Sequence, residues 1–182
     1  PSTTRSVPRR CSSRLARRLE HLRGTDLVVL GLPRGGVPVA AEVARVLDAP
    51  LDVIVVRKLP VPHNPEAGFG AIAPDGSTVI NEEMMRSLRL PEEEIRAIAG
   101  RVLEEVRRRE KVYRGDRPFS VFKDGNVVIT DDGLATGYTM IAAIKMARRL
   151  GAGYVAAAVP VSPADTADRV RPMVDYFHCP NI

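Results

Sequence analysis

The sequence predicts an α/β protein of three layers, αβα, with a mainly parallel, twisted sheet and a β-hairpin excursion. Three observations carry that expectation. Apolar runs of strand length alternate with helix-period segments along the chain, the pattern of βαβ units. Runs such as LVVLGL (27–32) and the Val127–Ile129 stretch are apolar without a break, as strands buried on both faces are. Two of these runs end in glycine-containing loops that lead into helices. In open α/β sheets ligands bind there, outside the carboxyl ends of the strands.

Each element has its own justification. Leu15, Leu19 and Leu22 make an amphipathic helix over about 11–23, behind a loose arm of nine residues. Leu27–Leu32 is the first strand, and GVPVAAEVARVLD (36–48) repeats apolar residues at helix spacing. LDVIVV (51–56) reads as the second strand. Residues 58–68, rich in Pro, Asn and Gly, read as an irregular loop. Phe69–Ala73 and Thr78–Asn81 flank Pro74-Asp75-Gly76, a hairpin turn. Helical periodicity dominates 82–113, with Pro91 suited to the first turn of a helix. Strand 126–130, helix 137–150 and strand 154–159 form a second βαβ unit. A helix over about 163–172 and a short strand at 174–177 follow.

Composition bounds the function classes. A chain of 182 residues is expected to be one domain, 1–182, with a real core. No run approaches the 18 apolar residues of a membrane span. The basic N-terminus lacks the apolar stretch of a secretory signal. Cys11 and Cys179 make no disulfide framework, which fits a reducing cytoplasm. The net charge is +5, and 23 of the 27 basic residues are Arg. That balance suits a polyphosphate ligand and equally a nucleic acid. With four Phe, four Tyr and no Trp, stacking platforms are scarce, so nucleic acid is not the expected partner. No Cys/His spacing makes a metal site, and no Ser/His/Asp or Cys/His nucleophile arrangement is evident.

The chemistry concentrates in Val127–Thr139, VVITDDGLATGYT. Asp131 and Asp132 end an apolar strand; their carboxylates can accept hydrogen bonds from sugar hydroxyls. Gly133, Ala135, Thr136, Gly137 and Thr139 follow, just before a helix. Glycines let backbone N–H groups close on a phosphate, and a helix N-terminus favours negative charge. A plain acidic strand end with a capping Thr would leave the acidic pair and the second Thr unexplained. A second loop, Pro33-Arg34-Gly35-Gly36, follows the first strand. By itself it reads equally as a strand-to-helix turn or an anion loop.

The 127–139 stretch resembles, over its whole length, the 13-residue motif for 5-phosphoribosyl 1-diphosphate (PRPP) of type I phosphoribosyltransferases. That resemblance implies the type I fold, Mg2+ as cofactor, and transfer of phosphoribosyl from PRPP to a nitrogenous small-molecule acceptor with release of diphosphate. It assigns the ribose hydroxyls to Asp131 and Asp132, and the 5-phosphate to Gly133, Ala135, Thr136, Gly137 and Thr139. The diphosphate falls to Arg34, Gly35 and Gly36, in a loop that carries a cis peptide at the position of Pro33–Arg34. Arg57 and Lys58 open KLPVPHNPEAG, which the resemblance makes a mobile loop closing over the leaving group. Arg57, Lys58 and His63 are its candidate contacts, although a lone loop histidine is more often simply exposed. Glu66 would anchor that loop. Mg2+ would be held mainly by substrate oxygens and water, without a protein cage.

GLPRGGVPVAAEVARVLDAPLDVIVVRKLPVPHNPEAGFGAI, YRGDRP and VVITDDGLATGYTMIAAI together are similar to bacterial and archaeal phosphoribosyltransferases whose substrate is unassigned. The likeness runs from about Leu15 to Val161. Such chains continue past the position of His178-Cys179-Pro180 into a cap. Ending at Ile182 and beginning at Pro1, this sequence is expected to be a fragment, to carry a short cap, or to be one domain of a fusion. The arginines of VLEEVRRREKVYRGDRP read as a solvated helix face with i,i+4 pairs; a dimer contact or an RNA stripe is the other reading. The alternative to an enzyme is a catalytically idle, PRPP-sensing regulator that binds nucleic acid or a partner protein. The expected setting is the cytoplasm, with a homodimer possible.

Overall fold

The computed structural model describes residues 9–117 and 122–182, apart from the side chains of residues 9–11, 65 and 66. Expectations for residues 1–8 and for the side chains of Cys11 and Glu66 therefore lie outside the described residues. The chain begins with α1 (Arg9–Arg17) and a single 3-10 turn, then β1 (Leu27–Gly31), α2 (Gly36–Leu47) and β2 (Leu51–Val53). An excursion follows: β3 (Arg57–Val61), β4 (Asn64–Ile72), β5 (Thr78–Ile80), α3 (Glu82–Leu88) and α4 (Glu92–Arg114). The chain then returns through β6 (Asn126–Thr130), α5 (Tyr138–Arg149), β7 (Tyr154–Ala158), α6 (Ala164–Val170) and β8 (Tyr176–His178).

Five strands form one parallel sheet in the order β2-β1-β6-β7-β8. Its strands are apolar throughout because both faces are covered. Val127 and Ile129 of β6 pack in the core shared with α5, whereas Val128 joins Leu15, Leu19, Val39 and Val43 under α1 and α2. β7 divides in the same way, Val155 and Ala157 against Ala156 and Ala158. Strand alternation thus feeds two cores at once, which makes the three layers.

The second strand is shorter than its apolar run. β2 ends at Val53, and only Ile54 still donates to Gly31 O (3.2 Å). Ile54 and Val55 are buried because the chain passes from the α5 core into a third one, built around Leu59, Phe69, Ile98 and Val106. Apolarity marks burial there, not sheet pairing.

The larger correction concerns residues 58–68. They are no irregular loop but most of a β-hairpin, Arg57 opposite Ile72 through Val61 opposite Asn64. The prolines mislead because a central strand rejects them. β3 is an edge strand of a separate antiparallel sheet, β3-β4-β5, and Pro60 sits at its register shift. His63 closes the turn with φ of 64°. The expected Pro74-Asp75-Gly76 turn is present: the Asp75 carboxylate accepts from the Ser77 N–H (2.8 Å) and hydroxyl (2.6 Å). α3 and α4 lay their apolar faces on this small sheet.

Candidate active site

The parallel sheet changes direction between β1 and β6. From β1 the chain winds outward to β2, and from β6 it winds the other way to β7 and β8. Two adjacent strands whose following segments diverge leave a crevice at their carboxyl ends. The 33–36 and 131–137 loops both open into it. They are in contact: Leu32 N–H donates to Thr130 O (3.0 Å), locking the strand ends together.

The glycines of the first loop answer to the acidic pair as well as to any ligand. A Cβ on Gly35 would fall inside the Asp132 carboxylate. A Cβ on Gly36 would stand 2.7 Å from Thr130 O and 2.9 Å from Asp131 Cα. The peptide between Pro33 and Arg34 is cis. Gly36 opens α2 with its N–H on Leu32 O (2.9 Å), and Arg34 is exposed at the rim.

Asp131 is half-buried and Asp132 exposed. Asp132 N–H donates to Asp131 Oδ1 (2.8 Å). Burial pushes the Asp131 carboxyl up to about 7, and the neighbouring Asp132 charge adds to the rise. Near neutrality, then, Asp131 can hold or release a proton without large cost.

The second loop is held from outside. Leu134 N–H donates to Val161 O (2.9 Å). Thr166 of α6, fully buried, donates its hydroxyl to Ala135 O (2.7 Å). Gly137 precedes α5 with φ of 76°, a value that favours glycine. No side chain caps α5 at that position, so the first-turn N–H groups, Thr139 included, remain for an incoming acceptor. Thr166 was beyond sequence reasoning: a Thr in a short helix thirty-one residues downstream carries no local signal.

Arg57 and Lys58 occupy the first two positions of β3. They line a cavity of about 460 Å³ that Pro33 borders on one side and Thr139 on another. The far wall is α4, with Arg101 and Arg109. The reading of 104–114 as a solvated face holds for Glu105, which pairs with Arg108 and Arg109. It fails for Arg114. That guanidinium is buried and donates to both carboxylate oxygens of Asp52 on β2 (3.0 and 2.7 Å) and to Arg117 O (3.0 Å). His63 lines a second, smaller cavity with Glu94 and Ile98, whose lining includes no residue of the 33–36 or 131–137 loops.

Against known proteins, residues 6–181 match the phosphoribosyl transferase domain family. The chain belongs to that family. Two Mycobacterium tuberculosis relatives named "Putative phosphoribosyl transferase", from strains CDC 1551 / Oshkosh and H37Rv, are each 47% identical over 165 residues. The match covers 91% of this chain but only 37% of each relative's length. The crystal structure of TT1426 from Thermus thermophilus superposes with a TM-score of 0.76 at 37% identity, over 96% of this chain and 82% of that one. The purine phosphoribosyltransferase from Pyrococcus horikoshii shares the fold, with a TM-score of 0.53 at 24% identity over 95% of this chain and 80% of that one. The phosphoribosyl transferase domain thus has the type I fold the sequence predicts, with a parallel sheet and an antiparallel annex.

Proposed function

We propose that this domain binds PRPP with Mg2+ and transfers its phosphoribosyl group to a nitrogenous small molecule, releasing diphosphate. The observation that carries the reading is the meeting of Gly35 with the Asp132 carboxylate at the switch point. The acid pair that would hold the sugar adjoins the 33–36 loop that would hold an anion, and a second such loop follows the pair directly.

Asp131 and Asp132 would accept from the ribose hydroxyls. Gly133, Ala135, Thr136, Gly137 and Thr139 would present N–H and hydroxyl donors to the 5-phosphate at the α5 N-terminus. Arg34, Gly35 and Gly36, with Arg57 and Lys58 from β3, would take the diphosphate. Bonds between charged groups and phosphate oxygens are the strong ones. Mg2+ fits this donor set: a hard cation that keeps its waters needs one or two carboxylates beside substrate oxygens, and Asp132 is exposed for that. Bound there, the ion would neutralise charge on the departing diphosphate. The chain's own residues position C1 between leaving group and acceptor and stabilise the charge that develops.

The test is calorimetric. Asp132→Ala removes acceptors whose charged hydrogen bonds are each worth roughly 1.5–3 kcal/mol, so PRPP affinity should fall about tenfold or more. Unchanged binding overturns the assignment.

A further inference from the structure

We propose that Arg101 and Arg109 of α4 form a second cationic wall for the leaving group, so that the diphosphate is gripped between the 33–36 loop, β3 and this helix. The inference rests on the PRPP reading and extends it to residues that no motif marks.

The cavity between β3 and α4 is large enough, at about 460 Å³, for a diphosphate with its metal and waters. It borders Pro33 at the start of the 33–36 loop and Thr139 in the first turn of α5, just past the 131–137 loop. Four cations line it, Arg57, Lys58, Arg101 and Arg109, against one carboxylate, Glu105. That carboxylate is already committed: Arg108 donates to it (2.9 and 2.8 Å), and Arg109 does as well. The pairing holds the Glu105 carboxyl below the usual range. Arg57 and Arg101 have no carboxylate partner among the described residues. A helix laddered for solubility would spend Arg101 on Glu105 one turn on, as Arg96 is spent on Glu92. Arg57 and Arg101 thus bring positive charge to the cavity that no described carboxylate offsets, and a polyanion bound there would offset it.

The wall is also fixed in place. Ile98 and Val106 are buried in the third core, and Arg114 ties the end of α4 to Asp52 on β2. β2 neighbours β1, the strand that carries the 33–36 loop. The two sides of the cavity are therefore braced against one another through the sheet.

The experiment measures binding of sodium diphosphate, with magnesium chloride, and of ribose 5-phosphate to the protein by calorimetry. Arg101→Ala and Arg109→Gln should each weaken diphosphate about tenfold and leave ribose 5-phosphate unchanged. Arg101→Lys, which keeps the charge, should recover most of the loss. Arg96→Ala, an equal charge change on the outer face of α4, should alter neither. Unchanged diphosphate affinity in both variants overturns the wall, as does equal weakening of both ligands. Failure of the unaltered protein to bind diphosphate overturns it too, while ribose 5-phosphate binding would leave the rest of the site standing. Arg101-dependent diphosphate binding without ribose 5-phosphate binding would keep the wall and overturn the PRPP reading.

Discussion

Gly35 and Gly36 stand side by side yet fail differently when enlarged. A methyl on Gly35 meets the end of an exposed side chain, that of Asp132, which can swing away. Gly35→Ala should fold normally and lose PRPP affinity by displacing Asp132. A methyl on Gly36 meets backbone, at Thr130 O and Asp131 Cα, which cannot yield without parting β1 from β6. Gly36→Ala should cost about 1–3 kcal/mol in chemical denaturation. Asp131 supplies a pH dependence. Its folded value, about 7, lies above the ordinary carboxyl range, so folding favours its protonated form. The penalty is absent below the ordinary value, grows as pH rises toward 7 and is complete above it. Asp131→Asn removes it, and the variant should be more stable by about 1–2 kcal/mol at pH 8, after discounting for partial exposure, with the gain shrinking toward pH 4. A gain independent of pH would contradict the assignment.

At the scale of elements, the β3–β4 hairpin replaces a loose loop as the carrier of Arg57 and Lys58. The hairpin holds the two cations side by side at the start of β3, paired with Ile72 and Ala71 of β4. Lys58→Ala should slow diphosphate release from PRPP, read as slow hydrolysis, far more than it weakens ribose 5-phosphate, which has no diphosphate to contact. Equal effects on both ligands would remove Lys58 from the leaving-group role. α4 depends on a buried ion pair. Removing one partner of such a pair costs about 3–5 kcal/mol when the other is left stranded, but Arg114 also pairs with Glu110 (3.5 Å). Asp52→Asn should therefore cost less than that, about 1–3 kcal/mol in urea denaturation. Burial beside that pair raises the Glu110 carboxyl above its usual range, against the opposing pull of Arg114.

For the whole molecule, the 33–36 and 131–137 loops belong to two βαβ units, each loop joining the unit's first strand to its helix. Any ligand that binds only the folded site stabilises the whole domain by mass action. Ribose 5-phosphate at a hundred times its dissociation constant should add about 2.7 kcal/mol, a melting shift of roughly 5–10 °C for a chain of this size. Asp132→Ala should abolish most of that shift. No helix among the described residues is long and apolar enough to cross a membrane.

The sequence by itself determined the parallel sheet and the strand–loop–helix segment that carries the acidic pair. β6 occupies the residues its apolar run marks, and β1, α2, α5 and β7 lie within one residue of theirs, because strands buried on both faces and helices of regular period announce themselves locally. The acidic pair and its glycine loop were legible for the same reason: strand, turn and helix N-terminus are consecutive in the chain. Tertiary structure decided the rest. Edge placement and a register shift made a strand of a proline-rich segment that local propensity assigns to a loop. Thr166 supports the 131–137 loop from thirty-one residues away, and Arg114 reaches across sixty-two to Asp52. Arg101 and Arg109 line a cavity, although both stay open to solvent, because α4 packs on the small sheet. Helical periodicity shows which residues share a face, and only the packed partner decides what that face meets.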